Sequence, residues 1–169
     1  MGISDGYSEA NFSTKISFFL VLLADVVNWI GFCTTSWWVH NDEYQGLWRL
    51  CSGIVCGYMD GTPDDDMNAI QAFAIFGFIA LNVAFLLINL YMCWGSCKGN
   101  GETGVGSVIF LFISAGSWLI SVAIFGAGYD DRLGRFGYSY ALAVSAGILA
   151  LLSGFIMLIG GRGNDVLSK

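Results

Sequence analysis

Four long apolar runs constrain this chain more than any other feature. They are "ISFFLVLLADVVNWIGFCTTSWW" (16–38), "MNAIQAFAIFGFIALNVAFLLINLYMCW" (67–94), "VGSVIFLFISAGSWLISVAIFGAG" (105–128) and "YSYALAVSAGILALLSGFIMLIGG" (138–161). Each exceeds the roughly 20 residues that a helix needs to cross hydrocarbon. Membrane strands would need only about 10 residues and would alternate polar with apolar, which these runs do not do. Composition agrees: 56% of the 169 residues are hydrophobic and 12% charged, against roughly 25% charged in an average soluble domain. A soluble fold of this length has too little interior to hide so much apolar surface, whereas a bilayer accommodates it. The expected architecture is one membrane all-α domain over residues 1–169, a four-helix bundle. The segment before the first run carries Asp5, Glu9 and a single lysine. It lacks the positive n-region of a signal peptide, and the run outlasts the roughly 7–15 residues of a signal h-region, so the run is read as a retained helix.

Four spans put both ends on one side. With the ends in the cytoplasm, Lys15, Lys98, Arg162 and Lys169 lie inside and Arg49, Arg132 and Arg135 outside, a slight positive-inside preference. The cysteines argue more strongly. A loop over 39–66 holds Cys51 and Cys56; placed outside, it meets an oxidising compartment where the two can bridge. Cys93 and Cys97 then fall at the cytoplasmic end of the second helix, one helical turn apart, where S-palmitoylation is a plausible fate and two ordinary interfacial thiols the bland one. The sequon at Asn11 would lie inside and stay unglycosylated. Multi-pass insertion in the plasma membrane follows, with a cytoplasmic loop over 95–104 and a second outer loop over 129–137.

Within the first outer loop, "CSGIVC" reads as two short strand ends around a Ser-Gly turn, and a disulfide across it closes a small ring worth roughly 2 kcal/mol; two free thiols are the alternative. His40 is the single histidine, so no zinc set or Cys/His catalytic pair can be assembled. The aspartates of "PDDDMNAI" lack calcium-loop spacing and suit a helix start, where Pro63 and carboxylates meet exposed amides. Gly99-x-Gly101-x-x-Gly104 matches a dinucleotide fingerprint in letters only, because it joins two membrane helices rather than a strand and a helix; it reads as a flexible turn. No enzyme, cofactor, metal, nucleic-acid partner or small-molecule substrate is expected.

Polar groups recur inside the spans. Asp25 sits mid-helix, Asn28 lies on the same face, and Asn82 and Asn89 fall in the second run. An intramembrane carboxylate is expensive and suggests function by default; the reading here is a structural interhelical network, with a partner-contact or ion-related role as the alternative. Small residues four apart (Ala143 and Gly147; Ala146, Ala150 and Gly154; Ser117 and Ser121) let helix backbones approach closely.

Trp37 or Trp38 after the first helix, then Gly46-Leu47-Trp48, then Cys51 and Cys56, resembles the signature of the claudin superfamily. That group takes in claudins, peripheral and epithelial membrane proteins, the lens fibre membrane protein and the calcium-channel gamma subunits with their AMPA-receptor regulatory relatives. "RFGYSYALA" (135–143) is similar to the family's entry into its fourth helix. The resemblance covers the whole chain and implies a left-handed four-helix bundle carrying a small extracellular antiparallel β-sheet. It implies a Cys51–Cys56 bridge, and Trp37 or Trp38 with Trp48 as anchors at the outer leaflet, where tryptophan is favoured on physical grounds too. Four residues separate the cysteines, closer to the lens and myelin branch than to claudins. The terminus "DVLSK" is no PDZ-binding motif. Two functions follow from the resemblance. One is a structural role in cell–cell contact, adhesion or a paracellular barrier, with like proteins as partners in cis or trans and an acidic outer surface that favours cations. The other is an auxiliary subunit docked on an ion channel or receptor.

Overall fold

A computed structural model describes residues 10–59, 65–93, 100–129 and 134–161. Four helices, α1 (Phe12–Cys33), α2 (Asp65–Cys93), α3 (Gly101–Tyr129) and α4 (Tyr138–Gly161), form the bundle. All four are long and apolar enough to cross a membrane. Five short strands form one antiparallel sheet: β1 (Trp38–His40), β2 (Glu43–Gln45), β3 (Arg49–Ser52), β4 (Val55–Tyr58) and β5 (Arg135–Phe136). Their order is β4-β3-β2-β1-β5, so the segment before α4 supplies one edge and the hairpin tip of the first loop the other. The fold class read from the sequence holds.

Two helices, α1 and α3, depart from the expected bounds by four residues or more at an end. The first helix covers Phe12–Cys33 rather than 16–38. Thr34 turns extended, and its hydroxyl and amide both return to the carbonyl of Ile30 at 2.6 and 3.1 Å. The β-branched and aromatic run beyond it prefers a strand, so Trp38 belongs to β1. The third helix begins at Gly101 rather than 105. Asn100 caps it, its Oδ1 accepting from the Glu102 amide at 3.0 Å and its carbonyl from the Gly104 amide at 3.1 Å; asparagine is a favoured N-cap. Gly101 and Gly104 are therefore helical rather than a flexible turn, while Gly99 and Cys97 lie outside the described residues. α2 opens with Asp65 and Asp66 in its first turn, as a helix start favours; Pro63 and Asp64 lie outside the described residues. α4 covers 138–161.

Small residues set the helix contacts. α2 packs most extensively on α3, and α1 on α4. A Cβ on Gly31 would meet the Ala143 backbone nitrogen at 3.0 Å, and one on Gly77 would meet the Trp118 ring at 2.9 Å. Ala143, Ala146, Ala150 and Ser121 are buried, as their spacing predicts. Serine hydroxyls tie helix to helix. Ser17 and Ser153 donate to each other's carbonyls at 3.3 and 3.1 Å. Ser114 donates to Gly77 at 2.9 Å and Ser121 to Ile70 at 3.0 Å. With no water in hydrocarbon, such bonds satisfy groups that would otherwise stay unpaired. The core divides in two: an aliphatic half around Leu81, Ile88 and Leu111, and an aromatic half beneath the sheet around Trp37, Trp118 and Phe125.

Candidate functional site: the sheet and its anchorage to the bundle

A helix leaves its last carbonyls without intrahelical partners. At the end of α1 the sheet supplies them. Trp37 Nε1 donates to the Gly31 carbonyl at 2.8 Å, and Trp48 Nε1 to the Phe32 carbonyl at 2.9 Å. Thr34 serves Ile30, so three successive carbonyls are satisfied by side chains from the sheet and its lead-in. Trp37 is fully buried, stacked near Trp118 and edge-on to Phe125 at 5.0 Å between centroids. It is thus a core residue rather than an outer-leaflet anchor: its indole N–H is drawn inward by an unpaired carbonyl instead of outward to water. Trp38 is also buried, packed against Tyr129. Trp48, half-buried edge-on to Phe32, sits nearest to an interfacial position.

The Gly46-Leu47-Trp48 triplet follows the same logic. A Cβ on Gly46 would meet Thr35 Cα at 2.7 Å and the Thr34 carbonyl at 2.9 Å; both are backbone, so only glycine lets the sheet lie this close to the end of α1. Leu47 is fully buried, and its carbonyl accepts from Gln71 of α2 at 2.7 Å. Gln45 donates to the Tyr129 hydroxyl of α3. On the α4 side, the Ser139 hydroxyl accepts from the Ser36 amide at 3.1 Å and pairs with the Thr34 hydroxyl at 2.6 Å. The sheet is thereby bonded to all four helices. Gln45, Gln71, Ser36 and Ser139 escaped the sequence reading; their one signal is polarity at the ends of apolar runs.

Away from the bundle the sheet becomes a disulfide-braced hairpin. Cys51 and Cys56 face each other across β3 and β4 and are bonded, with Cα atoms 4.0 Å apart. The turn is Gly53-Ile54, with Gly53 at φ +58°, the positive φ that two-residue hairpin loops require; it sits one residue later than the expected Ser-Gly turn. Arg49 lies over the opposite Tyr58 ring, 4.9 Å from its centroid, and donates to its hydroxyl at 3.0 Å. Every residue of β4 is exposed, and Ile54 at the tip is completely so. Among the described residues β4 has one hydrogen-bonded neighbour, β3, and it contains no charge or proline to block further pairing.

The expected intramembrane network does not form as a unit. Asn28 is fully buried and accepts from Trp118 Nε1 at 2.9 Å. Asn82 and Asn89 instead donate to the carbonyls of Phe78 and Phe85, four residues back on their own helix, at 2.9 and 2.7 Å. Such back-bonding is the nearest partner available to a short amide in a helix. Asp25 Oδ1 and Asn28 Nδ2 are buried without a hydrogen bond among the described residues. Cys93 ends α2, and Cys33 is a free, exposed thiol. No cluster of three or more His, Cys, Asp or Glu side chains among those residues is placed to hold a metal ion.

Comparison with known proteins agrees with this frame. The chain is 26% identical over 139 residues to "Epithelial membrane protein 2" of Homo sapiens, a match covering 73% of this chain and 81% of the relative. The same protein of Pan troglodytes matches with equal identity and coverage. A family model described as "PMP-22/EMP/MP20/Claudin family" matches residues 13–157, from the first turn of α1 to within four residues of the end of α4. The chain is therefore a multi-pass membrane protein belonging to the PMP-22/EMP/MP20/Claudin family.

Proposed function

We propose that this chain is a structural protein of cell–cell contact, whose sheet stands outside the plasma membrane and meets a like sheet on the opposing cell. The β3–β4 hairpin supports this reading: Ile54 is fully exposed, and Val55 and Tyr58 are 70% and 71% exposed. Monomeric soluble proteins seldom gather apolar side chains at one exposed point unless a partner covers them. β4, a sheet edge among the described residues, offers main-chain hydrogen bonds to that partner. The disulfide and the tryptophan caps hold the tip rigid, which lowers the entropy lost on contact. In this orientation both termini face the cytoplasm.

The test is mixed aggregation of junction-free cells. Two populations, one expressing the protein, are labelled and combined. Enrichment of the protein at contacts between two expressing cells, and not at contacts with non-expressing ones, is the expected result. Recovery of a stoichiometric channel or receptor from native membranes in mild detergent, with no such enrichment, would overturn the proposal in favour of an auxiliary subunit.

A further inference from the structure

At the end of the bundle away from the sheet the helices leave a cavity of about 220 Å³. Val105, Val108 and Phe112 of α3 and Met157 of α4 wall it, and Ile109 and Leu158, both partly exposed, sit on its lining as well. Apolar cavities of roughly 150 Å³ stay dry and take up apolar ligands; this one is larger. Asn11 and Tyr91 also line it, and Ser107 beside it is already used, its Oγ donating to the Gly104 carbonyl at 2.7 Å and lying 3.4 Å from Met157 Sδ. Thr14 of α1 is only 7% exposed and lines the cavity. A hydroxyl on the wall of an apolar cavity suits a ligand that is apolar along its length and polar at one end.

We propose that this cavity holds one fatty acyl chain of a membrane phospholipid, whose ester carbonyl accepts a hydrogen bond from the Thr14 hydroxyl. Three observations favour this ligand. Ile109 and Leu158 are exposed on helices long and apolar enough to cross a membrane, so an opening beside them would meet acyl chains. From Gly104 to Phe112 α3 rises about 12 Å, enough for roughly nine extended methylenes along the helix. Thr14 lies within the first turn of α1, the depth at which a lipid's ester groups meet its chains. Among the described residues no charged side chain lines the cavity, which argues against a free anion. A sterol hydroxyl would also satisfy Thr14, but a rigid ring system needs a matching slot, whereas a chain conforms to an irregular gap between helices.

The experiment uses the full chain in phosphatidylcholine vesicles containing a trace of phospholipid with a diazirine in its acyl chain. After irradiation, labelled residues are mapped by mass spectrometry. The segment Val105–Phe112 is expected to label at least threefold above the exposed α2 positions Phe76 and Ile79. Val108→Phe fills the cavity and should lower that labelling at least threefold while Phe76 and Ile79 stay constant, which reports that the bundle remains folded. Thr14→Val keeps the shape, removes the hydroxyl and should lower it at least twofold. Uniform labelling along all apolar faces, or cavity labelling that neither variant changes, would overturn the proposal. So would a diazirine sterol that labels the segment when the phospholipid does not.

Discussion

Replacing Trp37 by Phe removes one N–H and leaves an aromatic ring in place. In the native fold that N–H reaches the Gly31 carbonyl at 2.8 Å, and both residues are buried. No water can take its place, so the orphaned carbonyl costs about 1–3 kcal/mol. Phenyl is also smaller than indole. Its neighbours Trp118, Phe125 and Tyr140, with centroids 6.2, 5.0 and 5.7 Å away, close over the gap incompletely, which adds about 1–2 kcal/mol. The sum of about 2–5 kcal/mol corresponds to a fall of roughly 5–15 °C in Tm for a chain of this size. The assay is thermal unfolding in mild detergent, followed by the fraction that remains monodisperse. Trp29→Phe is the control, since the same chemical change falls on a half-exposed ring and should cost no more than about 0.5 kcal/mol. If Trp37→Phe melted within about 2 °C of the wild type, or if both variants fell equally, the capping of α1 by the sheet would be refuted as a source of stability.

Other outcomes follow from the same geometry. Asn28→Leu strands the Trp118 N–H in the core and should cost about 1–3 kcal/mol, while Asn82→Leu and Asn89→Leu should each cost under about 1 kcal/mol; equal losses in the same melting assay would restore a shared network. Gly46→Ala drives a Cβ to 2.7 Å from Thr35 Cα and should lower stability by about 1–3 kcal/mol, read as reduced delivery to the cell surface; normal delivery would contradict the close approach. Cys51 and Cys56 should resist alkylation until reductant is added, and the Cys51→Ser/Cys56→Ser pair should lose about 2 kcal/mol, as the short ring implies; alkylation without reductant would exclude the bridge.

The helices were legible because bilayer thickness dictates a length that only a few runs satisfy. The hairpin was legible because Gly53 and two cysteines at short spacing leave little choice. The end of α1 was not. Thr34 to Trp38 carries no charge, glycine or proline to mark an end, and the orphan carbonyls at Ile30, Gly31 and Phe32 explain why the chain turns back there. The tryptophans were therefore expected at the membrane surface, which the ring chemistry suits, when the N–H was what placed them. β5 was invisible for another reason: Arg135 and Phe136 become a strand only by pairing with Val39 and Trp38, nearly a hundred residues away. Sequence alone does not tell whether Asn82 and Asn89 bond across helices; a carbonyl of their own helix is the partner they find.

Whether the hairpin tip meets its like on another cell can be measured directly. Ile54 is replaced by a photo-crosslinking amino acid in one cell population, and a second population carries the wild-type chain with a different tag. After mixing and irradiation, a covalent species bearing both tags is the predicted result, and it should disappear when Val55 of the partner is changed to Asp. Photo-adducts confined to other membrane proteins of the same cell, with no doubly tagged species, would contradict the account.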